Sequence, residues 1–208
     1  MVERKMKLIL ASQSPRRAQL LTEAGFEFTV FAPDDWVEEN ANKNLPPGEL
    51  VVELACLKAQ NVAGRIGQTI TRSHPTPCLV LAADTVAHCH GEVLGKPADR
   101  VDARRMLQLM SGQTHEVLTG VCLWEVRSRR QQAYLETTTL RMDELNEQQL
   151  DSFLDTDGWR GKAGGFGYQD GLDWVHIETG LASNVVGLPI EKLLSWIQEI
   201  EVERFGDN

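Results

Sequence analysis

The chain has 208 residues, 42% of them hydrophobic and 25% charged, enough for one sizeable core and ordinary for a globular domain. A formal net charge of −9 excludes general attraction to nucleic acid or an anionic membrane, so any anionic ligand must be met by a local basic pocket. Cys56, Cys78, Cys89 and Cys122 show no C-x-x-C spacing, and no segment approaches the ~20 apolar residues of a membrane span. The first residues, "MVERKMKLILAS", hold too short an apolar run for a signal peptide. The expectation is a single domain over 1–208, reduced and cytoplasmic, with neither nucleic acid nor membrane as partner.

Strands are expected at 7–11, 78–88, 115–126, 132–142 and 173–177, with a shorter one near 184–186. Helices are expected at 15–24, 48–64, 99–110, 147–154 and 189–202. Asn146 and Gln149 form a capping box for the fourth helix, and Pro189 opens the fifth. The elements mix in an α/β order that begins strand, helix, helix, strand. Residues 65–77 read as an exposed connection. Residues 155–171, "DTDGWRGKAGGFGYQDG", form a glycine-rich loop of a length that is functional or mobile in compact domains.

The first helix raises a question of charge. Ser14-Pro15 reads as N-cap and first helical residue, and Gly25 as the C-terminal stop. Arg16 and Arg17 then sit in the first turn, where each cation costs about 0.3–1 kcal/mol against the helix dipole. A bound phosphate would reverse that sign, with backbone N–H groups, the Ser14 hydroxyl and two guanidinium groups converging on it. The alternative is a pair of solvated arginines.

Three more charges stand in unexpected places. Lys58 falls on the apolar stripe Val51, Leu54, Ala55, Lys58, Val62, where it either snorkels to solvent or faces a site. Asp84 interrupts "CLVLAADTVAH", a run that reads as a strand buried on both faces. An acid there must be paired, protonated or bound to a cation. Lys96 follows in "GEVLGKP". Together with "DDWVEEN", these residues have the balance of a metal-assisted phosphoryl site, in which cations hold phosphates and carboxylates hold Mg²⁺. Taken alone, that acidic run is an ordinary solvated face. His88, Cys89 and His90 suggest a transition metal, but nothing completes the set, and a polar hairpin end is the plainer reading.

Seven collinear segments carry a resemblance: "LASQSPRRAQLL", "LACLKA", "AADTV", "GEVLGKP", "MLQLMSGQTHEVLTGV", "GKAGGFGYQ" and "VVGLPI". Together they resemble the Maf family of nucleotide pyrophosphatases. The resemblance implies an α/β fold, an elongated mixed β-sheet flanked by helices, with two lobes around a central cleft. It implies hydrolysis of nucleoside triphosphates to monophosphate and pyrophosphate with a divalent cation, Mg²⁺ or Mn²⁺, and a homodimer. Ser12, Arg16 and Arg17 correspond to the family's triphosphate-facing loop, and Lys58 and Lys96 to its phosphate-site lysines. Asp84 corresponds to the catalytic proton acceptor. Glu38, with Glu39 as the alternative, corresponds to the acid that binds metal or positions water, and Glu38 and Asp84 are the metal ligands implied. Arg16, Thr85 and Gln169 correspond to base-selecting positions of the subgroup favouring dTTP and UTP; another subgroup acts on 7-methyl-GTP. Two departures lie beside the expected base pocket: Gly165 removes a side chain, and Asp170 stands where glycine is usual. A non-catalytic nucleotide-binding regulator of cell division and a nucleotidyltransferase are the alternative functions.

Overall fold

The computed structural model describes residues 6–67 and 78–205, with side chains through residue 199. It opens with β1 (Lys7–Leu10), α1 (Pro15–Glu23), β2 (Phe28–Val30), a 3₁₀ turn at Asp35–Asn40 and α2 (Pro47–Gly67). β3 (Cys78–Cys89), β4 (Glu92–Leu94), α3 (Arg100–Met110), β5 (Thr114–Glu125) and β6 (Gln131–Met142) follow. The chain ends with α4 (Glu147–Asp155), β7 (Val175–Thr179), α5 (Ala182–Val186) and α6 (Ile190–Phe205). Among the described residues, no helix is long and apolar enough to cross a membrane.

Most of the expected elements are present, with three differences. β2 and β4 have three residues each, too few to produce a periodic signal. Residues 184–186 are helical, not extended. The paired valines favour a strand, but Asn184 is pinned through its side chain to Val117 and Thr138, and tertiary bonding overrides the local preference. The connection expected at 65–77 is in part helix, because α2 runs through Gly67, and 68–77 lie outside the described residues. The long glycine-rich loop is not structureless. It contains 3₁₀ turns at Ala163–Gly165 and Tyr168–Asp170, and it buries Phe166.

The seven strands form one mixed sheet, ordered β2-β1-β3-β5-β6-β7, with β4 on the free end of β3. β1 runs parallel to β2 and β3; every other pairing is antiparallel. β3, β5 and β6 have 12 residues each, which at about 3.3 Å per residue makes the sheet roughly 40 Å long.

That length lets different cores form at the two ends of the same strands. At the β1 end, Leu79, Leu81 and Ala83 pack toward α1 and α6, while Cys78, Val80 and Ala82 pack toward α2. At the other end, Ala87 and Cys89 join a separate core with α3 and α4. Asp84 and Thr85 lie between the cores, the first partly exposed residues after six buried ones in β3. The period-two alternation of the strand directs Asp84 toward α2 and Thr85 toward α1.

One glycine sets how closely α2 approaches. Gly120 of β5 pairs directly with Asp84, and a Cβ at that position would lie 2.2 Å from the Val51 carbonyl oxygen. The α2 backbone therefore rests on the sheet beside the acid.

Candidate active site

Ser12, Arg16, Arg17, Glu38, Lys58, Asp84, Thr85, Lys96 and Gln169 all line one cleft of about 600 Å³. That volume is ordinary for a small-molecule site, about 300–1,000 Å³. Glu39 is not among the lining residues, so of the two candidate acids it is Glu38 that faces the cleft. The lining carries the cations Arg16, Arg17, Lys58, Lys96, Arg160 and Lys162 against the acids Asp34, Asp35, Glu38 and Asp84. The local excess is positive in a chain of net charge −9, the pocket that an anionic ligand requires.

The Lys58 side chain does not snorkel. It is buried, and its Nζ lies 2.5 Å from Asp84 Oδ1 and 2.7 Å from Glu38 Oε1. Two elements far apart in sequence, the 3₁₀ turn and β3, thus deliver carboxylates to one ammonium on α2. Partial burial alone would raise the Glu38 pKa. The hydrogen bond and charge of Lys58, assisted by Lys96 and Arg17, reverse this and hold the carboxyl below its ordinary value.

The two arginines of α1 are used differently. Arg17 donates to protein acceptors from all three nitrogens: Nε to the Gly187 carbonyl at 2.8 Å, Nη1 to Ser12 Oγ at 3.3 Å and Nη2 to Thr85 Oγ1 at 3.1 Å. One N–H on each Nη remains for a ligand. Burial lowers the Arg17 pKa from its ordinary value, and the charge of Asp84 opposes that shift; an arginine remains protonated regardless. Arg16 donates from Nη2 to the Gly161 carbonyl at 2.8 Å, tying the glycine-rich loop to α1.

The expected capping of α1 differs in detail. Ser14 occupies the N-cap position with Pro15 after it, but its side chain makes no cap bond. Instead its backbone N–H donates to Ser12 Oγ at 3.1 Å. The first turn carries no acid of its own.

Lys162, which was not singled out from the sequence, lines the cleft and is ion-paired with Asp170. In sequence it is a lone lysine in a glycine-rich loop, and only the 3₁₀ turn carrying Asp170 brings the two together. Gln169 lies exposed on that turn, at the cleft. Beyond the lining, Thr119 and Asn184 are fully buried and polar, and they connect to Thr85. Their only sequence signal is polarity in otherwise apolar surroundings.

Among the described residues, no group of three or more His, Cys, Asp or Glu side chains could hold a metal. The His88–Cys89–His90 stretch ends in a turn: His88 faces Glu116 at 3.3 Å, and exposed His90 bonds to Gln113 at 3.1 Å. Glu38 and Asp84 do share one cation in Lys58. A pair of hard oxygen donors suits Mg²⁺, which takes one or two carboxylates and completes its shell with water and phosphate oxygens. The donor set fits that ion.

A family model described as Maf-like protein matches residues 7–200. The chain is 48% identical over 195 residues to a dTTP/UTP pyrophosphatase of Rhodopirellula baltica, covering 93% of this chain and 82% of that protein. It is 41% identical over 188 residues to a dTTP/UTP pyrophosphatase of Bdellovibrio bacteriovorus, covering 90% and 95% respectively. A protein of the same description from Acetivibrio thermocellus is 37% identical over 198 residues, covering 95% of this chain and 96% of that one.

Proposed function

The chain belongs to the Maf family, and from that premise we propose that it hydrolyses nucleoside triphosphates, dTTP and UTP foremost, to monophosphate and pyrophosphate. The observation that carries this is the pairing of Asp84 with Lys58 at 2.5 Å, inside a cleft whose lining has more cations than acids. Such a site can hold a polyphosphate and still present a carboxylate to a water molecule.

In this reading Lys58, Lys96, Arg16 and the free N–H groups of Arg17 bind the phosphate oxygens and spread their charge. That is most of what phosphoryl-transfer catalysis requires. The Asp84 carboxylate accepts a proton from the water that attacks the α-phosphorus. A new P–O bond forms to that phosphorus as the α–β anhydride bond breaks, and pyrophosphate leaves. Glu38 and Asp84 would hold a divalent cation, Mg²⁺ or Mn²⁺. When bound, such an ion neutralises phosphate charge and lowers the pKa of coordinated water. Gln169 offers an amide donor to a carbonyl oxygen of uracil or thymine. A cytoplasmic location is part of the proposal, supported by the presence of triphosphate pools there. So is a homodimer, which rests on the family resemblance and is checked by sedimentation.

The test is to incubate the protein with UTP or dTTP and Mg²⁺ and no other acceptor. Pyrophosphate and monophosphate in equal amounts are expected. Binding without turnover would make the protein a nucleotide-binding regulator, and turnover only with an added acceptor would make it a transferase.

A further inference from the structure

We propose that Thr119, which lies behind the cleft, is a positioning residue that fixes the Thr85 hydroxyl as an acceptor toward the cleft and thereby sets which pyrimidine the site takes. Thr119 is fully buried on β5, directly across from Thr85 on β3. The two Oγ1 atoms are 3.0 Å apart. Thr119 Oγ1 also lies 3.3 Å from the Asn184 carbonyl oxygen, and Arg17 Nη2 lies 3.1 Å from Thr85 Oγ1.

The direction of these three bonds is determined. A guanidinium can only donate and a carbonyl can only accept, while each hydroxyl has a single proton. Arg17 donates to Thr85, and Thr119 donates to Asn184. The bond between the threonines must then use the Thr85 proton, so the chain runs Arg17 to Thr85 to Thr119 to Asn184. No other assignment keeps all three bonds.

Its far end is rigid. The Asn184 side chain donates to the Val117 carbonyl and to Thr138 Oγ1, both at 3.0 Å. Gly187, at φ +118°, brings its backbone against the near end, where an added Cβ would meet Thr85 Oγ1 at 3.5 Å. The polarity of Thr85 is thus imposed from inside the protein.

The consequence falls on the substrate. With its proton turned inward, Thr85 offers the cleft only a lone pair. A ligand group beside it must donate, as the N3–H of uracil or thymine does. The N3 of cytosine is itself an acceptor and would face an acceptor. A buried acceptor facing another acceptor is a desolvated, unpaired contact, which selects strongly against the wrong ligand. Once Thr119 can no longer accept, the Thr85 proton is free to rotate toward the cleft, and this discrimination weakens.

This inference rests on the pyrimidine triphosphate reading above. Its test compares kcat/KM for UTP and CTP in the wild type, Thr119→Val and Thr119→Ser. The UTP/CTP ratio is expected to fall by roughly fivefold or more in Thr119→Val, the size of one neutral hydrogen bond. Thr119→Ser restores the proton acceptor and is expected to return the ratio to near the wild-type value. In a Thr85→Val background, adding Thr119→Val is expected to change the ratio no further, because the effect passes through Thr85. If Thr119→Val does not fold, Thr119→Cys, a weak acceptor of similar size, is expected to give an intermediate ratio. If the wild type turns over neither nucleotide, the functional reading fails by itself. The same ratio is then measured calorimetrically as binding of the α,β-methylene analogues of UTP and CTP. A folded Thr119→Val or Thr119→Cys protein with an unchanged ratio, or an equal loss in the Thr85→Val background, overturns the proposal.

Discussion

Asp84→Asn preserves the shape of the side chain while removing its charge and its capacity to accept a proton. Lys58 keeps Glu38 as a partner at 2.7 Å, so the fold has no reason to change. We expect kcat to fall by about 10²–10⁴-fold, the usual contribution of a general base, at an unchanged melting temperature. Activity within threefold of wild type would remove Asp84 from the chemistry. On the Tyr168–Asp170 turn of the glycine-rich loop, Gln169 is exposed at the cleft with its amide available to a ligand. The wild type is expected to prefer UTP over ATP in kcat/KM by at least about tenfold, roughly one good hydrogen bond. Gln169→Leu is expected to erode that ratio by slowing the pyrimidine nucleotide. Gly165, expected to open room beside the base pocket, does not line the cleft: it is buried, and a Cβ there would face Pro97 and Ala103.

α2 owes its position to a missing side chain on the strand beneath it. At Gly120 an added Cβ would meet backbone atoms of Val51 and Val52 at 2.2–2.4 Å, and backbone cannot rotate away. Gly120→Ala is therefore expected to lift α2 and carry Lys58 away from Asp84. It should cost about 1–3 kcal/mol in urea unfolding, as overpacking does, together with a large loss of turnover. Stability within experimental error of wild type would mean that α2 is not held by this contact. α1 is tested through anion binding. Its first turn carries two arginines and no acid, so pyrophosphate is expected to raise the melting temperature by mass action. Arg16→Ala is expected to reduce that rise by at least about half, since it removes one of the cations at the dipole's positive end. An equal rise in the variant would mean that Arg16 serves to hold the glycine-rich loop and not the anion. Arg17 is the poorer choice for this experiment, because it also joins α1 to Thr85 and to Gly187.

Across the whole molecule, part of the acid stability is tied to a core residue on β5, His115. His115 is 2% exposed, and its burial outweighs a backbone hydrogen bond with Gln113. Its ring stacks edge-on to Phe166 at 5.6 Å. Burial pushes its pKa down to about 4, so between about pH 6.5 and 4 the unfolded chain binds a proton that the folded chain refuses. Stability therefore falls as pH drops through that window, by on the order of 3 kcal/mol at its lower end. His115→Leu is expected to flatten the dependence of the urea midpoint over this range, and an unchanged slope would contradict it. The main strands and helices are legible in the sequence because their apolar periodicity is strong. Arg16, Arg17, Lys58, Asp84 and Lys96 stand out locally as charges in unexpected places, whereas Ser12, Glu38, Thr85 and Gln169 are reached through the family resemblance. What escaped depends on partners distant along the chain. α5 is helical because Asn184 bonds to β5 and β6. Lys162 faces the cleft from a turn closed by Asp170. Thr119 is defined by its register with Thr85. Attack of water on the α-phosphorus of a triphosphate held between Asp84 and the cleft's cations is distinguished from every alternative by hydrolysing UTP in ¹⁸O-labelled water. One ¹⁸O atom in the uridine monophosphate and none in the pyrophosphate is the expected result; label in the pyrophosphate, or release of inorganic phosphate in its place, would contradict it.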